Sequence, residues 1–64
     1  MTEIMSKIIS ECYEKRITQK ELALMTGITE ASISRYFKDI RTPNIKNAEK
    51  MCNALGFTLI MARK

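Results

Sequence analysis

Apolar residues recur at helical spacing from the start of the chain. Ile4, Met5, Ile8, Ile9 and Cys12 share one side of a 3.6-residue repeat, and Lys7, Glu11 and Glu14 take the other. This predicts a helix over about 2–15, with Thr2 as its cap and Glu3 in its first turn. A second helix begins at Thr18, where Thr-Gln-Lys-Glu fits a capping box between Thr18 and Glu21. It runs to about Met25, with Leu22, Ala23 and Met25 as its apolar positions. Gly27 then supplies a backbone conformation with positive φ. Ile28 is placed to anchor the turn in the core. Thr29 caps a third helix that runs to about Lys38, with Ile33 and Phe37 facing inward. Pro43 blocks its continuation and Asn44 caps a fourth helix. Ile45, Ala48, Met51, Cys52 and Leu55 form the fourth stripe, and Gly56 ends it.

The last stretch, "FTLIMARK", changes period. Phe57, Leu59 and Met61 alternate with Thr58, Ile60 and Ala62, which reads as a short strand with two apolar faces. A single strand cannot satisfy its own backbone groups. The same strand of a second copy, antiparallel across a two-fold axis, would pair with it. A frayed tail or a final helical turn is the alternative. The expected fold is therefore mostly all-α: a bundle of about four helices over 1–56, with a C-terminal strand over 57–64. Phe57, Leu59, Ile60 and Met61 are its expected dimerisation residues.

Size makes the second copy matter. A chain of 64 residues is one small domain at most, and such a domain is only marginally stable alone. Cys12 and Cys52 are too few and too far apart for a zinc site, and the chain has no His. Both sit on apolar helix faces and read as free buried thiols, which suits a reducing cytoplasm. No signal peptide and no apolar run near the ~20 residues of a membrane span is seen. No cofactor and no metal are expected.

Charge separates the two halves. Residues 1–30 carry four basic and five acidic side chains, and residues 31–64 carry seven basic and two acidic, within a net charge of +4. The excess begins with the third helix. A positive surface attracts phosphate polymers at long range.

A turn of three or four residues sets two helices at roughly 90–120°, the helix-turn-helix geometry. Ala23 is small enough for close approach at that corner. With Ile33 and Phe37 inward, Glu30, Ala31, Ser34, Arg35 and Lys38 lie on the outer side of the third helix. A short, polar, partly basic helix presented this way fits the major groove of duplex DNA.

These residues carry a family likeness. "TQKELALMTGITEASISRYFKDIRTPN" resembles the Cro and lambda-repressor-like (XRE) helix-turn-helix family. The match covers about residues 4–56, through Gln19, Leu22-Ala23, Gly27-Ile28, Ile33-Ser34 and Pro43 in register, and "AEKMCNALG" resembles the family's next helix. The resemblance implies double-stranded DNA as partner. It implies that Gln19 binds a phosphate and braces the recognition helix, and that Glu30, Ala31 and Arg35 face bases. Thr29 opens that helix on the DNA side. Ser32 and Ser34 are placed for phosphate or local contacts, and Lys38 and Arg41 for backbone or minor groove. Arg35 can donate two bonds to guanine, a contact worth about 1–3 kcal/mol of discrimination. Glu30 can accept from cytosine, or it can serve its own helix N-terminus and repel phosphate. Ala31 can touch a thymine methyl or merely leave room. Tyr36 is assigned to packing against neighbouring helices.

The chain departs from the family pattern at several points. Family members often pair an arginine in the first helix with a glutamate ending the recognition helix. Cys12 and Phe37 stand there, so packing replaces an ion pair, and the two are expected to lie near each other. Arg16 and Asp39 stand where glycine is common, and Asp tolerates the left-handed conformation better than Arg does.

No enzyme is read: no His, no glycine-rich phosphate loop and no evident carboxylate pair are present. The expected function is a sequence-specific transcriptional regulator, a repressor of phage, prophage or mobile-element type, binding a near-palindromic operator as a homodimer. Two alternatives stand beside it. One is an antitoxin-type regulator that also holds a toxin. The other is a protein-interaction module on the same fold that uses the terminal strand.

Overall fold

The computed structural model describes residues 3–57. Four helices follow one another: α1 (Glu3–Glu14), α2 (Gln19–Thr26), α3 (Glu30–Phe37) and α4 (Ile45–Ala54). Among the described residues there is no strand, and no helix is long and apolar enough to cross a membrane. The expected cap Thr2 and the expected strand residues Leu59, Ile60 and Met61 lie outside the described residues.

Three helices start on side-chain caps. Thr18 Oγ1 accepts from the Glu21 amide at 3.1 Å, and the Thr18 amide donates to Glu21 Oε1 at 2.9 Å, completing the capping box. The Thr18 amide foremost, and the Thr18 side chain after it, hold the Glu21 carboxyl below its usual range. Thr29 caps α3 by accepting from the Ser32 amide, and Asn44 caps α4 by accepting from the Asn47 amide at 2.7 Å.

Three of the four helix ends follow one rule. Ile17 N donates to Cys12 O at 2.8 Å while Arg16 N donates to Tyr13 O. Ile40 and Asp39 repeat this pair on Arg35 and Tyr36, and Phe57 and Gly56 repeat it on Cys52 and Asn53. These are Schellman closures, each with a left-handed residue: Arg16 at φ 56°, Asp39 at φ 60° and Gly56 at φ 91°. The two positions where the family favours glycine thus keep glycine's conformation with other side chains. α2 ends more simply, with Gly27 at φ 76° donating to Ala23 O.

One core unites the four helices. It holds Met5, Ile8 and Cys12 of α1, Leu22 of α2, Ile28 of the turn, Ile33 and Tyr36 of α3, and Met51, Cys52 and Leu55 at the other end. α1 and α2 each pack on α3 and on α4. A fully buried aliphatic such as Ile8 or Ile33 stabilises by about 1.5–3 kcal/mol relative to exposure. Phe57 packs against this core beneath the Lys7 ammonium, 5.8 Å from the ring centre. Both cysteines are free and buried, and burial pushes their thiol pKa values up.

Three packing expectations need correction. Met25 is half exposed and its neighbour Leu24 more so, because a two-turn helix turns only the Leu22 side fully into the core. Ile45 is also half exposed, since the first residue of α4 lies beyond the core's edge. On α3 the deep residue after Ile33 is Tyr36, covered by the first turn of α4. Phe37 is only half-buried, at a rim shared with Ile9 and Tyr13. Cys12 and Phe37 do belong to one core, Cys12 within it and Phe37 packed against it.

Candidate nucleic-acid interface

Residues 27–29 join α2 to α3. Gly27 turns the chain, Ile28 is buried and Thr29 starts the next helix. Among the described residues nothing lies within 4 Å of where a Cβ on Gly27 would be, so its positive φ, not crowding, is what asks for glycine. Leu22 beneath α2 and Ile33 beneath α3, each 0% exposed, fasten the corner.

The face opposite Ile33 is open. Thr29, Glu30, Ala31 and Arg35 are exposed, and Ser32 and Ser34 are half-buried beside them. Thr29 Oγ1 also donates to Ser32 Oγ at 3.0 Å, so the two hydroxyls are mutually oriented at the helix start. Lys38 is exposed at the helix end, and its amide donates to Ser34 O. The next residues fold back: Ile40 N and Arg41 N both donate to Arg35 O, at 3.0 and 3.4 Å. That brings the exposed Arg41 to the end of the same helix. Gln19 is half-buried in the first turn of α2. Among the described residues no hydrogen bond joins its side chain to α3, so the bracing role carried by the resemblance has no counterpart in a direct bond.

Charge divides along the same line. The ion pairs between described side chains lie on α1 and the residue just after it, Lys7 with Glu11 and Lys15 with Glu11. Arg35, Lys38, Arg41, Lys46 and Lys50 have no ion-pair partner among the described residues. These five described cations are thus available to a polyanion, whereas Lys7 and Lys15 are paired. No cluster of three or more potential metal ligands occurs among the described residues.

One polar contact escaped the sequence reading. Asn47 Nδ2 donates to the Tyr36 hydroxyl at 2.9 Å, linking the buried side of α3 to the first turn of α4. No periodicity signals it, because the partners lie on different helices across an irregular loop.

Comparison with known families agrees with this geometry. A family model described as helix-turn-helix matches residues 11–60 of the chain. No curated protein and no solved structure gives a significant match.

Proposed function

We infer function from one premise: the chain belongs to the Cro and lambda-repressor-like (XRE) helix-turn-helix family. It is accordingly a DNA-binding transcription regulator with DNA as a partner.

The finer reading is a repressor that recognises its operator through α3. What carries it is the exposed Arg35, unpaired among described side chains, on a helix whose opposite side is fastened by fully buried Ile33. Glu30, Ala31 and Arg35 face the base edges, and Thr29, Ser32, Ser34 and Gln19 serve phosphates and orientation. Lys38 and Arg41 lie along the flanking backbone. The protein acts as a homodimer through residues 57–64, so that two copies of α3 enter successive major grooves about 34 Å apart on a near-palindrome.

Selection of bound duplexes from a random pool, followed by salt titration, tests this reading. A two-fold symmetric consensus is expected, with affinity falling steeply between low and moderate salt. Failure to retain any duplex at low salt would refute it. An asymmetric single half-site would remove the dimer.

A further inference from the structure

We propose that Tyr36 and Asn47 are a positioning pair that sets the loop after the recognition helix, and with it Arg41, for contact with DNA. The inference rests on the functional reading above.

Tyr36 lies on the inner side of α3, 5% exposed, so its ring is fixed by the core. Its hydroxyl receives Asn47 Nδ2 at 2.9 Å. Asn47 is itself held, since its amide donates to the capping side chain of Asn44 at 2.7 Å. The loop between the two helices is thereby pinned at both ends. At its start, Ile40 N and Arg41 N close on Arg35 O. At its finish, Asn44 caps α4 and is tied through Asn47 to Tyr36. α3 packs mainly on α2 and α1 rather than on α4, and this side-chain bond ties the two helices across the loop.

Residues 39–42 are exposed, including Ile40 at 70%. Asp39 adopts a left-handed conformation that costs a non-glycine residue energy. An untied loop would have to be ordered when DNA binds, and that entropy would be subtracted from affinity. A tied loop presents Arg41 ready beside the end of α3.

The pair is tested with Tyr36→Phe, which keeps the ring, and Asn47→Ala, at a half-buried position in the first turn of α4. Duplex affinity is measured on the selected operator, alone and combined with Arg41→Ala. Each single change is expected to weaken binding about three- to tenfold, the scale of one neutral hydrogen bond. The Tyr36→Phe/Asn47→Ala double variant should be no weaker than either single one. Arg41→Ala should cost less affinity in the Tyr36→Phe background than in the wild type, a coupling that a general loss of stability would not produce. In the free protein, the Ile40 amide should exchange with solvent several-fold faster in both variants. Additive losses with Arg41→Ala, or unchanged affinity and exchange, would overturn the proposal while leaving DNA binding intact. A wild-type protein that binds no duplex would defeat the functional reading, and the positioning role with it.

Discussion

The Lys15 ammonium donates a 2.7 Å hydrogen bond to the carbonyl oxygen of Leu55, a residue forty positions away. It caps the C-terminal end of α4, where carbonyls lack partners and a positive charge is favoured. Glu11 holds the same ammonium at 3.3 Å from within α1. The bond therefore joins the ends of the first and last helices. Lys15→Met should cost about 1 kcal/mol, less than a fully buried charged bond because the side chain is nearly half exposed. A thermal melt would show a drop of roughly 4–8 °C. Glu11→Gln, which removes the ion pairs to Lys15 and Lys7 but leaves the cap, should shift the melt less. Equal shifts for the two would mean that the ion pair, not the cap, does the stabilising.

Arg16 is strained and Gly56 is not. Both adopt left-handed backbone at the same point of the same closure, at φ 56° and φ 91°. Arg16→Gly should raise stability by about 0.5–1 kcal/mol, the relief of the left-handed penalty partly offset by the greater freedom of an unfolded glycine. The converse change, Gly56→Ala, should lower it by roughly 1 kcal/mol. Among the described residues an added Cβ would meet Lys15 Nζ alone, at 4.0 Å, so strain and not collision sets that cost. Denaturant midpoints measure both. A destabilised Arg16→Gly would show that the arginine side chain contributes more than its backbone loses.

Glu21 makes the start of α2 sensitive to acid. Its carboxylate accepts from the Thr18 amide, and this bond first, with the Thr18 side chain second, depresses its pKa in the folded chain. A depressed carboxyl adds stability at pH above its unfolded value, and that stability is lost as pH falls through the folded value. Wild-type stability should therefore decline below roughly pH 4.5 partly through Glu21. Glu21→Gln keeps a capping side chain without the titration and should flatten that part of the profile. A side-chain NMR titration of Glu21 with an ordinary midpoint would remove the effect.

Arg35 and Gln19 should fail differently on DNA. Arg35→Ala is expected to relax preference at one operator position, losing about 1–3 kcal/mol of discrimination there. Gln19→Ala should weaken binding more evenly across sequences, because a phosphate contact carries no base information. Competition assays with single-substituted operators separate the two. If Arg35→Ala lost the same factor on every sequence, it would cease to be a base reader.

Much of the local geometry was legible in the chain because its devices are local. The capping box of Thr18 and Glu21, the turn at Gly27, and the caps at Thr29 and Asn44 each span only a few residues. Backbone geometry then leaves few solutions. The left-handed turns at Arg16 and Asp39 were legible for another reason, since the family resemblance places glycine there. The outward face of Glu30, Ala31 and Arg35 follows from Ile33 once that residue is taken as buried.

Sequence alone determined where the helices begin and end, since those bonds close within about five residues and need no distant partner. It also determined that a polar, partly basic helix would follow a sharp corner. Only the tertiary structure decided how deeply each apolar residue sits: Tyr36 inside and Phe37 at the rim, Met25 and Ile45 half in water. It alone paired Lys15 with Leu55 and Tyr36 with Asn47. Periodicity identifies a helix's apolar side, but the angle at which neighbouring helices cross it selects which residues on that side are covered. Contacts across the loop or between the chain's two ends depend on those crossings, and no local pattern encodes them.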